Sequence, residues 1–177
     1  MNDMRQAQEL IETPLTREEL AERYRALCED PCYANVPGKF ELDIWGRILM
    51  TPPSFYHGAI QGRLSRVLAG LGGEIVLEAP VATALGLFVA DVAWASTEFF
   101  TRHRDETAAT SAPEICIEVV SPSNSVKELQ EKVAAYLASG AQEAWIVYPQ
   151  SKRCEFYAKQ GLLQRSAYPV DLTGLFD

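Results

Sequence analysis

The sequence predicts a single α/β (α+β) domain, a mixed β-sheet flanked by helices. Three observations predict it. The chain has 177 residues, the length of one domain. It is 47% apolar and 23% charged, close to the average for a globular protein. Helix-period segments also alternate with short β-branched runs in the order α-β-β-α-β-β-β-β-α-β-β-β, the pattern of helices packed on a sheet.

The first fifteen residues read as a polar lead-in broken at Pro14, and residues 16–177 as the domain. Thr16-Arg17-Glu18-Glu19 is a capping box, followed by Leu20, Tyr24, Leu27 and Cys28 at helical spacing until Pro31. Phe40–Leu42 and Arg47–Met50 then form a hairpin about Asp43-Ile44-Trp45-Gly46. Ser54 caps a helix to about Gly70, with Ile60, Leu64, Val67, Leu68 and Leu71 on one face and His57 near it. Strands are expected at Glu74–Glu78, Val81–Leu85 and Leu87–Trp94, then a polar surface loop from Thr101 to Ser111. Glu114–Val120 is β-branched. A helix from Ser125 to Ser139 follows, with Val126, Leu129, Val133 and Leu137 as the stripe expected to face the sheet and Gly140 as its left-handed cap. Glu143–Tyr148, Arg153–Ala158 and Leu162–Ser166 complete the sheet.

Charge and cysteine content narrow the function. With 16 basic and 24 acidic residues the net charge is −8, so there is no general attraction to phosphate backbones; nucleic-acid binding needs a local basic patch or a divalent cation. Cys28, Cys32, Cys116 and Cys154 make no C-x-x-C pair, and two histidines are too few and too scattered to complete a zinc site. Reduced thiols are expected. No apolar stretch approaches the ~18 residues of a membrane span, and Met1 to Gln6 lack the core of a secretory signal, which predicts a cytoplasmic protein with no membrane partner.

Two acids stand out. Asp91 is the one charge inside Leu87–Trp94, and Glu118 interrupts Ile115–Val120 in the same way. A buried carboxylate is costly unless it is paired or holds a metal. Either alone could be a strand-end residue in a salt bridge. Together, on successive strands, they suggest a divalent-cation site of the oxygen-rich kind magnesium takes.

Phe40-Glu41-Leu42, the Gly46 turn, Pro52/Pro53 and His57 resemble the opening signature of the Uma-two family of restriction endonucleases. Ala90-Asp91-Val92, Glu118-Val119-Val120-Ser121-Pro122-Ser123, Glu131-Lys132, Tyr136, Gly140 and Trp145-Ile146-Val147 continue it in order, over about residues 35–166. The resemblance implies the PD-(D/E)XK nuclease fold and Mg2+-dependent cleavage of DNA, with Mn2+ able to substitute. It makes Asp91 and Glu118 metal ligands and Lys132 the catalytic lysine, supplied from the helix because Val120 fills the usual position. Glu41 becomes a third carboxylate, and the Val119 carbonyl a further ligand. His57 is either a capping or core residue or one that orients water or substrate. Tyr136 is a packing residue with a useful hydroxyl. Ala90 stands where proline is common, and Tyr148 where an acid is frequent.

Several alternatives stay open on the residues alone. Lys132 could form an i,i+4 surface pair with Glu128. Arg63 and Arg66 could touch phosphates or simply solvate a helix face. A two-stranded target favours a homodimer. The rival functions are an inactive binding module on the nuclease fold, and a metal-free hydrolase using Glu41 and Glu118 as an acid–base pair. Three ionised acids ~5 Å apart would repel by ~3 kcal/mol per pair at an effective dielectric of ~20. On that reasoning Asp91→Asn should stabilise the cation-free fold.

Overall fold

A computed structural model describes residues 13–33, 39–51, 54–122 and 124–177. Most of the lead-in, and Pro52, Pro53 and Ser123 of the motif series, lie outside them. The described residues form four α-helices and eight strands: α1 (Arg17–Glu29), β1 (Lys39–Asp43), β2 (Ile48–Thr51), α2 (Phe55–Leu68), β3 (Glu74–Thr83), β4 (Gly86–Ala95), α3 (Thr97–His103), β5 (Ile115–Val119), α4 (Val126–Ala138), β6 (Glu143–Tyr148), β7 (Arg153–Ala158) and β8 (Gly161–Leu163). The sheet runs β2-β1-β4-β5-β6-β7-β8, with β3 also on β4. β5 and β6 are parallel and the other pairs antiparallel, so the sheet is mixed.

Local chemistry fixes the helix starts. Thr16–Glu19 and Ser125–Glu128 both close as reciprocal capping boxes, satisfying N–H groups that a first turn leaves free. Each sheet face then buries one long helix. Ile60, Leu64 and Leu68 of α2 pack on Val92, Ile117, Val119 and Trp145. On the other face, Leu129, Val133 and Tyr136 of α4 pack on Phe88, Ala90, Cys116 and Ile146. Leu20 of α1 covers Leu42, Leu87 and Val89.

Three expectations change. The two strands expected over 74–85 are one, β3, which continues through Glu78 and Pro80 because its partner β4 is unbroken. The segment read as a polar loop begins as helix α3, capped by the Ser96 side chain on the Phe99 amide. Beyond it, Ala109 exchanges backbone hydrogen bonds with the edge of β3, so this stretch is tied down rather than loose. The last strand stops at Leu163, because Ser166 and Ala167 turn away to hydrogen-bond Glu143.

One irregularity positions the site. β3 covers one edge of β4 throughout, so β1 and β5 must share the other: β1 pairs at Gly86 and Leu87, β5 at Val92 to Trp94. Between them the sheet splits. In the same place strand alternation breaks, since the residues facing α4 are Phe88, Ala90 and then Ala93 on β4, and Val76 and then Ala79 on β3. The β3–β4 pairing passes over Glu78 and Asp91, and Glu78 adopts φ 50, rare for a residue other than glycine.

A candidate active site at the sheet split

Backbone groups left without strand partners in the split are completed by side chains, as buried amides and carbonyls require. Glu41 Oε1 accepts from the Val89 amide at 2.8 Å, and Lys39 Nζ donates to the Val89 carbonyl at 2.9 Å. Asp91 Oδ2 accepts from the Val119 amide at 2.6 Å. The acids at this place are therefore part of the architecture as well as candidates for chemistry.

The site has two halves. In the inner half, Lys132 Nζ donates to Glu41 Oε1 at 2.7 Å and to Glu118 Oε2 at 3.1 Å, while the Tyr136 hydroxyl donates to Glu118 Oε1 at 2.7 Å. All four residues are buried. The surface pair of Lys132 with Glu128 does not form, because Glu128 caps its own helix through Ser125. The inward face of α4 is Leu129, Lys132, Val133 and Tyr136, an i, i+3, i+4, i+7 set, and Val126, expected to face the sheet, is exposed.

The outer half surrounds Asp91. Its Oδ1 accepts from Lys39 Nζ, and its Oδ2 from His57 as well as Val119. His57 Nε2 lies 3.1 Å from both Asp91 Oδ2 and the Val119 carbonyl. Both are acceptors, so Nε2 must carry the proton. His57 reaches this point from the first turn of α2, its own amide donating to the Ser54 cap. Gln61, one turn on, donates to Glu78 Oε1 at 2.5 Å and to the Asp91 carbonyl at 3.3 Å.

Electrostatics differ between the halves. Burial pushes the Glu118 carboxyl up to about 7, against the pull of Lys132. Burial also opposes the charge on Lys132, but Glu118 and Glu41 outweigh it and hold the ammonium firmly protonated. Burial likewise disfavours ionised Asp91, yet the His57 hydrogen bond and Lys39 keep its carboxyl below the ordinary range. That hydrogen bond in turn raises His57 above its usual value. The expected mutual repulsion persists, since Asp91 and Glu41 both help to push Glu118 up, but it is offset because each of the three acids accepts a hydrogen bond from an ammonium.

The oxygen donors of Asp91, Glu118, Glu41 and the Val119 carbonyl come from three neighbouring strands and suit a hard cation such as Mg2+. Among the described residues, no three His, Cys, Asp or Glu side chains are already arranged around an ion. Lys39 stands on Asp91 instead. The donor set fits the ion by chemistry, provided that Lys39 leaves Oδ1. Arg63 and Arg66 are not brought to the acids: Arg63 donates to the Leu175 carbonyl at 3.1 Å and Arg66 is exposed beside it. Tyr148 gives its hydroxyl to Glu155 at 3.0 Å, away from the cluster.

Lys39, Gln61 and Glu78 escaped the sequence reading. Lys39 had a usable signal, since it lies two residues before Glu41 and so shares its side of a strand. Glu78 looked like the polar end of a strand, and Gln61 lies off the apolar stripe of its helix, where no sequence signal marks it.

A mixed sheet with a helix on each face and this acid cluster at its split defines a protein of the restriction-endonuclease-like fold. The model of the Uma2 family, described as "Putative restriction endonuclease", matches residues 21–175, and the chain belongs to that family. Its fold is similar to that of "a putative nuclease belonging to DUF820" from Anabaena variabilis ATCC 29413, known from a crystal structure. The TM-score is 0.66 at 20% identity, covering 92% of this chain and 98% of the other. No curated protein matches this chain.

Proposed function

We propose that this protein is a Mg2+-dependent endonuclease of the PD-(D/E)XK type that hydrolyses phosphodiester bonds in DNA. The observation that carries the proposal is the junction of Asp91, Glu118, Glu41 and Lys132 in one buried cluster where the sheet splits. Asp91, Glu118 and the Val119 carbonyl would hold the cation, which, when bound, polarises a phosphate oxygen and acidifies water. The rest falls to side chains. Lys132 supplies a fixed positive charge beside Glu118, suited to orienting the attacking water and stabilising charge that develops on phosphorus. His57 orients Asp91 through Nε2–H, and Tyr136 orients Glu118.

With Lys39 and Lys132 already paired to Asp91, Glu41 and Glu118, a bound cation would have to supply the attraction for phosphate that the net charge of −8 withholds. Two strands to cut favour a homodimer, a reading supported by edge strand β2, which exposes Leu49 and Met50. No helix among the described residues is long and apolar enough to cross a membrane. The four cysteines are free thiols, which agrees with a cytoplasmic setting. A metal-free acid–base pair is disfavoured, because Lys132 stands between Glu41 and Glu118 where a substrate atom would have to be. The inactive-module reading is favoured by Lys39 on Asp91 and by the acidic balance of the chain, with Arg63 and Arg66 away from the acids.

Nicking of supercoiled plasmid tests the proposal. Cleavage is expected with Mg2+ or Mn2+, stops with excess chelator, and falls by about 10²-fold or more in Glu118→Gln. Cleavage that survives the chelator would replace it with the metal-free reading. No cleavage of DNA or RNA under any cation would leave the binding module.

A further inference from the structure

The two ammonium groups differ in what lies next to them. Lys132 is enclosed, its side chain 10% exposed, with both acidic partners buried. Lys39 lies nearer the rim, 17% exposed. It donates to the Val89 carbonyl and to Asp91, and a second acid waits beside it: Glu78 Oε2, 3.8 Å from Nζ, on a side chain 44% exposed. Glu78 sits opposite Asp91 at φ 50, a costly conformation for a glutamate in a strand, and Gln61 clamps its other oxygen at 2.5 Å.

We propose that Lys39 is a resident counter-ion of Asp91 which an incoming divalent metal ion displaces onto Glu78. This rests on the metal-dependent reading above. Without an ion, Asp91 is 2% exposed and needs compensation for its charge, which Lys39 on Oδ1 provides alongside the His57 hydrogen bond to Oδ2. An ion on Asp91 would repel an ammonium left in place. Glu78, 3.8 Å from Nζ, can receive that ammonium, so a displaced Lys39 is not left without a partner. Affinity for the ion is then set by a contest: the hold of Asp91 on Lys39 opposes binding, and the hold of Glu78 assists it.

Calorimetric titration with Mn2+ of wild type, Lys39→Met, Glu78→Gln and the double variant tests this without reference to activity. Lys39→Met is expected to tighten binding by about tenfold or more, because the competitor is gone. Glu78→Gln is expected to weaken binding about tenfold in the presence of Lys39, and by less than about twofold once Lys39 is replaced. Loss of a nearby negative charge alone would weaken both backgrounds equally, and that result overturns the displacement. So does Mn2+ binding that Lys39→Met leaves unchanged or weakens, with the metal-dependent reading intact. Failure of all four proteins to bind Mn2+ overturns both. If Lys39→Met does not fold, Lys39→Gln, which can still donate to the Val89 carbonyl, carries the same expectations.

Discussion

The inner and outer halves of the acid cluster solve the same problem in different ways. Each places ionisable groups where a sheet has parted, and each balances an acid with a lysine. The inner lysine comes from a helix packed flat on the sheet, with two buried acids and, among the described residues, no further ion-pair partner. The outer lysine comes from β1 beside the opening and has Glu78 within reach. Burial makes the first a fixture, and a second acid at the rim makes the other movable. The difference teaches that an ion pair's role depends less on its own geometry than on what each partner can turn to when the pair breaks.

The largest expected effect is in the inner half. Lys132→Met leaves Glu41 and Glu118 buried without a cation, and breaking such a pair costs about 3–5 kcal/mol, measurable by urea denaturation. Glu118, already up to about 7, should rise further. A folded-state pKa above the unfolded one favours folding below the unfolded value and loses that benefit as pH rises. The variant should therefore be less impaired near about pH 5 than near about pH 8.

Asp91→Asn should cost less, about 1–2 kcal/mol, because Lys39 can turn to Glu78. The sign sharpens the comparison: a bare cluster of repelling acids would gain stability from this change, whereas a counter-ion pair loses it. The same variant should remove the Mn2+ response of wild type, which mass action puts at ~2.7 kcal/mol for a hundredfold excess over the dissociation constant. A rise in the cation-free melting temperature of Asp91→Asn would contradict the pairing with Lys39.

Tyr136→Phe removes one hydrogen bond to Glu118 and should cost about 1 kcal/mol with the fold retained. Smallest in stability is the signature of His57, followed by NMR titration. Its folded value should lie above 6.5, and Asp91→Asn should lower it. The associated stability is fully present below the unfolded value and fades as pH rises through the folded one. An unshifted His57 in wild type would mean that its contact with Asp91 is not formed in solution.

Much of this was legible in the sequence because periodicity and capping act locally. Thr16, Ser54 and Ser125 announced three helices, and the solitary charges in Leu87–Trp94 and Ile115–Val120 announced the acids. What was not legible depends on strands distant in the chain. That β1 and β5 share one edge of β4 follows from no local pattern, and without the split neither Lys39 nor Glu78 has a reason to matter. The sheet-facing stripe of α4 was misjudged by one position for a related reason. Hydrophobicity placed Val126 inside, but the inward face takes in Lys132, paired with Glu41 91 residues away, and Val126 is exposed. Helix α3 was hidden by a polar sequence whose cap, Ser96, lay ahead of the segment read as a loop.

The most direct test of the central claim is anomalous diffraction from a crystal soaked with Mn2+. The expected result is a peak bonded to carboxylate oxygens of Asp91 and Glu118 in wild type that disappears in Asp91→Asn. A well-ordered crystal with no peak at these acids, its density showing Lys39 still on Asp91 at high Mn2+, would contradict it.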